Sequence, residues 1–305
     1  MGSVDVRANE VTRQQYGCGS RTQLTAAGVS ARTIHRRVAR GVWSEPLPGV
    51  IDLGTHPASW HQRAMMALLA AGRGAVLSHH TAAYLHGFLD VHRPRHVDVL
   101  VPRGARTRAP GARLHTTLVL GEDDVGVVAP FRVTSPARTL LDVAGDVPDE
   151  RSELLLWELC RRRRTAVEEL ADLLVRHPRA RGARGLRSLL RDVPEGVGRA
   201  ESPLEVVGLY ALRRAGMPKP VVQHVIRDER GRFVARVDAA WPAARAVVEF
   251  DGAAYHDPPT RRRRDAERHD RLRRLGWRVH VLRAADLRDP ARLRAVARDL
   301  RVTTG

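Results

Sequence analysis

The chain has 305 residues, enough for two or three domains, each with its own core. Its 52 basic side chains outnumber 34 acidic ones, for a formal net charge of +18. A high-GC coding preference explains why all but one of the bases, Lys219, are arginine, but it does not explain the excess of bases over acids. That excess points to a polyanionic partner, nucleic acid above all, with a merely solvated basic surface as the alternative. Two isolated cysteines, Cys18 and Cys160, exclude a disulfide framework and a cysteine zinc site, and both are expected to be reduced. The apolar runs, such as 64–71, are far too short to span a bilayer, and the N-terminus has no signal-type apolar region. A soluble cytoplasmic protein is expected.

The first 55 residues read as short helices followed by a wing. Ser20 is placed to cap a helix ending at Gly28, and Ser30 a second ending at Gly41. Leu24, Ile34 and Val38 supply the inward face. Arg32, His35, Arg36, Arg37 and Arg40 crowd the second helix. Val42-Trp43 and 49–53 then form a small hairpin around Pro46-Leu47-Pro48. Helix, turn, basic helix and β-wing make a winged helix-turn-helix, whose second helix enters a major groove. The arginines are the candidate contacts; a small helical domain with a charged outer face is the other reading.

Residues 56–198 read as a middle α+β and helical region. Helices are expected over 60–71, from the Ser78 cap to Leu85, and from Ser135-Pro136 onward, with strands over 96–101 and 113–116. His79, His80 and His86 lack a cysteine or acid to complete a metal set, so a packed or exposed histidine group is expected. The pattern is helical over 149–192, where Thr165 to Glu168 forms a capping box. The run Arg161 to Arg164 suits a helix C-terminus as well as it suits DNA. Pro194-Glu195-Gly196-Val197-Gly198 reads as a linker, with a domain boundary near 198.

Residues 199–305 carry the chemistry. A helix over 202–215 precedes strands over 221–226, 233–241 and 246–251. A basic helix (262–275), a strand (277–282) and a terminal helix follow, with Trp277 expected in the core. Glu249 and Asp251 are two apart and share one face of a strand. The short turn 241–245 makes a hairpin that sets Asp238 opposite Glu249. Three converging carboxylates repel unless a cation lies among them, and an all-oxygen donor set suits Mg²⁺, or Mn²⁺ in its place. A salt-bridged strand edge is the alternative. Ser202-x-x-Glu205 has the spacing of a capping box. His256 follows on a loop, where a structural hydrogen bond is one reading. Arg261, Arg262, Arg264, Arg268 and Arg271 lie where a phosphate backbone would pass, with interspersed acids available for intrahelical pairing.

Two resemblances accompany these readings. Ser202-Pro-Leu-Glu205, Val237-Asp238, Val248-Glu249-Phe250-Asp251-Gly252 with His256, and 271–279 resemble the PD-(D/E)XK nuclease superfamily over 199–301, and within it the very-short-patch-repair (Vsr) branch. The resemblance implies a restriction-endonuclease-like α-β-β-β-α-β core. It also implies Mg²⁺ held by Asp238 and Glu249, polarising a scissile phosphate and activating water. It further implies that Glu205 approaches the acid site and that His256 acts as a general base or proton shuttle. Asp251 departs from the pattern, standing where many members carry lysine. Ser20 to Leu24, Gly28 to Ser30, Ile34 to Arg37 and the wing at 48–51 resemble the AbiEi-type antitoxin winged helix of type IV toxin–antitoxin systems. His80 to Gly87 and Thr134 to Asp142 are similar to the segment that follows it, so the resemblance covers 8–145.

An α/β multidomain protein is therefore expected, divided as 1–55, 56–198 and 199–305. The leading expectation is a metal-dependent DNA endonuclease with an N-terminal DNA-binding module, in defence or repair. The alternative is a non-catalytic DNA-binding regulator or antitoxin-like protein, with a degenerate nuclease fold and a toxin or defence-system partner. The complete acids favour the first; the missing lysine favours the second.

Overall fold

Ser20 closes the first local structure that the sequence foretells. Its hydroxyl accepts from the Gln23 amide at 3.1 Å while the Gln23 carboxamide accepts from the Ser20 amide at 2.9 Å, a reciprocal capping box. The computed structural model describes residues 3–105, 107–162, 166–191, 193, 197–251 and 259–301, with the side chains of 259–262, 300 and 301 outside the description. It is a mixed α/β fold with three sheets. Contacts divide it into two interleaved units, 1–147 with 169–184 and 148–168 with 185–305, and not at a single boundary near 198. Val197 is buried and Gly198 lies against the Cys160 carbonyl, so this end of the expected linker is packed within the second unit.

The first unit begins with α1 (Ser3–Thr12), which composition did not announce, then β1 (Cys18–Ser20), α2 (Arg21–Ala26), α3 (Ala31–Ala39), β2 (Ser44–Leu47) and β3 (Val50–Asp52). The three strands form one small sheet in the order β1-β3-β2. Ala8, Leu24, Val29, Ile34, Trp43 and Ile51 make its core. Trp43, expected on a strand, is instead a buried residue before β2, because its ring fills this core.

Next come α4 (Trp60–Ala71), β4 (Val76–Leu77), α5 (His79–Leu85), β5 (Val97–Pro102), β6 (Ala112–Thr117), β7 (Val125–Val128), β8 (Phe131–Thr134) and α6 (Pro136–Ala144). A five-stranded sheet runs β6-β5-β4-β8-β7. Ser59 and Ser135 cap α4 and α6, and Pro136 occupies the first turn of α6, where its missing N–H costs nothing. Cys18 and Val50 share a core with Trp60, Met65, Leu77 and Val99, so the N-terminal helices and the sheet are one body.

The helices α7 (Asp149–Arg162), α8 (Ala166–Arg176) and α9 (Ala183–Arg191) follow. The rest of the chain is α10 (Pro203–Arg214), β9 (Val221–Arg227), β10 (Phe233–Trp241), β11 (Ala246–Asp251), α11 (Pro259–Arg274), β12 (Arg278–Arg283) and α12 (Pro290–Arg301). Its sheet order is β12-β11-β10-β9, antiparallel except for the parallel β11–β12 pair that α11 connects. Leu272 of α11 is fully buried against Val237, Ala240 and Val247. Within the second unit Trp157 of α7 meets Tyr210 of α10 edge to face, and Trp277 is partly buried at the core margin. No helix among the described residues is long and apolar enough to cross a membrane.

Candidate functional site

β10 and β11 are central strands, and a one-turn 3-10 segment closes the hairpin between them, with Arg245 left-handed at φ 45°. The register Trp241↔Ala246, Ala240↔Val247, Ala239↔Val248, continued by one residue, sets Asp238 opposite Glu249. On the other side α10 approaches β11 closely. A Cβ on Gly208 would lie 2.1 Å from the Phe250 ring, so only glycine admits this packing.

The four acids of the second unit hold different partners. The Glu205 side chain, 6% exposed, accepts from the Glu201 amide at 2.8 Å and from Gln223 Nε2 at 2.9 Å, while Ser202 caps the helix by accepting from the Glu205 amide at 3.2 Å. Glu205 thus ties down the helix start and also faces the site. Gln223 Nε2 reaches on to Asp238 Oδ1 at 3.2 Å, and Asp238 Oδ2 accepts from the Phe250 amide at 2.8 Å. Burial raises the Asp238 carboxyl from 3.8 to about 6; the Phe250 and Gln223 hydrogen bonds oppose this, and the charges of Glu205 and Glu249 add to it. Glu249, 8% exposed, accepts through Oε2 from Arg268 at 2.7 Å and pairs with His269 Nε2 at 2.9 Å, both on α11. Its Oε1 is buried without a hydrogen-bond partner among the described residues. Asp251 pairs with Arg283 of β12 at 3.2 Å.

The three central acids therefore do not converge as expected. Glu249 takes Arg268 and His269 of α11 and Asp251 takes Arg283 of β12 as partners, and no group of three or more potential ligands among the described residues is arranged to hold a metal. Glu249 and Asp251 of β11, a strand interior to its sheet, are thus each ion-paired with an arginine, while Asp238 accepts from the neutral Gln223 and Phe250 donors. A hard-cation site is fitted only in part: Asp238 and Glu249 Oε1 are oxygen donors near one another in register, but Asp251 is committed elsewhere. His256 lies outside the described residues.

Of the basic set on α11, Arg264 and Arg271 are exposed, Arg268 turns inward to Glu249 and also pairs with Asp265, and the side chains of Arg261 and Arg262 lie outside the description. Arg32 and Arg36 on α3, and Arg40 at its C-cap, are exposed. Arg37 pairs with Asp5 of α1 at 2.9 Å and stacks on Trp43 at 5.3 Å, so it serves the fold of the first unit. Sequence reasoning missed Gln223, His269 and Arg283. Gln223 was hidden because its φ of 53° breaks the alternation of β9. The other two become partners only through contacts 20 and 32 positions away along the chain.

In the first unit, His86 bonds the Thr134 carbonyl at 2.8 Å while His79 stacks on His115 at 3.5 Å. Arg161 and Arg162 both pair with Glu158, the helix-end role; Arg163, Arg164 and Thr165 lie outside the described residues. Cys18 and Cys160 are free and buried, and burial raises each thiol to about 12.

Comparison with known proteins places part of the chain. Residues 74–192 match the AbiEi antitoxin C-terminal domain, which overlaps the resemblance read at 74–145 and extends it through α7, α8 and α9. Among solved structures, the chain is similar to the RV2827C protein from Mycobacterium tuberculosis at 16% identity and a TM-score of 0.32, over 63% of this chain and 82% of that one. Over 236 residues, 75% of this chain and 82% of theirs, it is 31% identical to the uncharacterized proteins MT2308 and Rv2248 of Mycobacterium tuberculosis strains. The chain belongs to the family of these two mycobacterial proteins, and its residues 74–192 are similar to the AbiEi antitoxin C-terminal domain.

Proposed function

We propose that the protein is a DNA-binding, antitoxin-like regulator acting with a toxin or defence-system partner. The match of 74–192 to the AbiEi antitoxin C-terminal domain carries the reading. The geometry in front of it supports the same conclusion: α2, a short turn, α3 and the β2–β3 hairpin have the order of a winged helix-turn-helix, and α3 with its C-cap exposes Arg32, Arg36 and Arg40. Cations on an exposed recognition helix neutralise phosphates and release counterions, so affinity falls steeply with salt. The test is fluorescence anisotropy of the full chain on duplex DNA across a salt series. Replacing Arg32 and Arg36 by alanine together is expected to weaken binding and to reduce the slope of log K against log salt by about 2. Unchanged affinity and slope overturn the proposed DNA contact.

A second reading keeps the C-terminal unit as a PD-(D/E)XK-type nuclease. What favours it is a half-buried Asp238 whose carboxyl is raised to about 6 beside Glu205 and Glu249, an arrangement a purely structural site has no need of. The element order α10-β9-β10-β11-α11-β12 is compatible with it. A bound Mg²⁺ would supply Lewis-acid activation of a phosphate and its attacking water, with Asp238 and Glu249 as the holders. Supercoiled plasmid with Mg²⁺ or Mn²⁺ tests this reading: nicking by the wild type and none by Asp238→Ala or Glu249→Ala supports it. The absence of nicking, or equal traces in all three, leaves the C-terminal unit as a binding element of the regulator.

A further inference from the structure

A cavity of about 1050 Å³ opens in the first unit, well away in sequence from the acids just described. Its wall draws on β5, β6, α6 and the segment 176–181, and includes six arginines against two aspartates. Half of those arginines are already committed. Arg138, 4% exposed, pairs with Asp142 at 2.9 Å and with Asp124 at 3.4 Å. Arg176 pairs with the same Asp124 at 3.0 Å, and Arg181 with Asp146 at 3.1 Å. Arg103, Arg113 and Arg179 have no ion-pair partner among the described residues, although all three line the cavity. Three uncompensated guanidinium groups around one concavity make a site for an anion with several oxygens, because the planar fork matches phosphate.

The rest of the wall is of a different character. The imidazoles of His79 and His115 lie stacked with centroids 3.5 Å apart and planes within 15°. His79 takes φ 47°, a backbone conformation rare outside glycine and retained where surroundings over-determine it. Burial lowers the His79 ring to about 3, so it is neutral and presents a flat, uncharged face. His115 is anchored from behind by Asp98 at 2.9 Å. Leu118 and Val119 line the same space and are largely exposed, an apolar rim without cover. The volume far exceeds what one phosphate group needs. A ligand that satisfies both ends is anionic at one and flat and weakly polar at the other.

We propose that this cavity binds a 5′-phosphorylated nucleotide, free or at the end of a strand, with its phosphates on Arg103, Arg113 and Arg179 and its base against the His79–His115 stack and Leu118. The buried Arg138–Asp124–His177 network beneath it holds the floor in place, with His177 Nε2 at 2.8 Å from Asp124. Among the described residues, the acids that line the cavity are Asp142 and Asp146, each already facing an arginine.

Isothermal titration calorimetry of the full chain tests the proposal. The probes are the nucleoside 5′-monophosphates and triphosphates of the four bases, adenosine, inorganic phosphate, and a 5′-phosphorylated tetranucleotide. At least one nucleotide is expected to bind, with adenosine and inorganic phosphate each weaker by at least about tenfold. The double variant Arg113→Gln and Arg179→Gln should weaken the nucleotide by about tenfold or more. Glu249→Gln and Arg36→Ala, which alter the other two candidate sites, should leave it unchanged. Equal binding of the tetranucleotide and the matching mononucleotide assigns the site to free nucleotide, and tighter binding of the tetranucleotide assigns it to strand ends. Absence of heat with every nucleotide at millimolar concentration overturns the proposal. So does binding that the double variant leaves intact, or inorganic phosphate binding as tightly as any nucleotide.

Discussion

Asp124 in the first unit and Asp238 in the second are both aspartates withdrawn from water, yet they titrate in opposite directions. Burial pushes Asp124 up, but hydrogen bonds from the Gly121 amide, Arg176 and His177 outweigh it, and its carboxyl sits below the ordinary range. Burial pushes Asp238 up as well, and there only neutral donors oppose it while Glu205 and Glu249 reinforce it. The difference lies in what surrounds the carboxylate. The first unit surrounds its acid with cations and so builds a rigid floor. The second leaves its acid among other acids, with cations drawn to the outer pair, Glu249 and Asp251. A saturated charge is a structural device, whereas an undersaturated one is poised to take a proton or a cation.

Removing the cation from the saturated centre has the largest expected effect. Arg138→Met leaves Asp124 and Asp142 short of a buried partner and should cost about 3–5 kcal/mol in urea unfolding. A loss under about 1 kcal/mol would mean that Arg176 and His177 suffice, and the contrast with Asp238 would shrink.

The second prediction concerns the pH profile. The folded Asp238 carboxyl titrates near 6 against 3.8 for the free group, so between these values the folded state binds more protons than the unfolded one. Stability from this residue is therefore fully present below pH 3.8 and is lost as pH rises through about 6. Relative to Asp238→Asn, the wild type should lose about 2–3 kcal/mol between pH 4 and pH 7, at about 1.4 kcal/mol for each pKa unit. Asp124→Asn, compared in the acid range below about pH 4, should show the opposite sign, the wild type gaining relative to the variant as pH rises to about 4 and levelling off above it. Two parallel profiles would erase the distinction between the centres.

Gly208→Ala probes the scaffold of the second centre without touching a charge. The added methyl meets the Phe250 ring, and the strain should cost about 1–3 kcal/mol, read as a lower thermal midpoint. An unchanged midpoint would show that α10 shifts freely against β11. The smallest effect is expected for Glu249→Gln, because Arg268 is about a third exposed and its pairing with Glu249 is screened: about 1 kcal/mol. A loss as large as that of Arg138→Met would place Glu249 with the saturated acids.

Much of the architecture was legible along the chain. β10 and β11 begin and end where the apolar runs and the Pro242 turn predicted, because turn chemistry and strand periodicity are local properties. Ser20, Ser30 and Ser135 capped their helices for the same reason, whereas Ser78, expected to cap α5, makes no side-chain cap hydrogen bond. α1 escaped because it has little amphipathic contrast and only Ala8 and Thr12 buried, while β4 is two residues long, below any periodic signal. The sequence by itself determined the order of the elements, the basic surface of α3 and the presence of acids on two adjacent strands. Tertiary structure alone decided what those acids do. The guanidinium of Arg268, the imidazole of His269 and the carboxamide of Gln223 reach Glu249 and Asp238 across elements, and whether a carboxylate is neutralised or left poised depends on distances that no local pattern encodes. The same holds for the arginine-lined cavity, whose free cations are recognisable only after their neighbours have taken up the available aspartates.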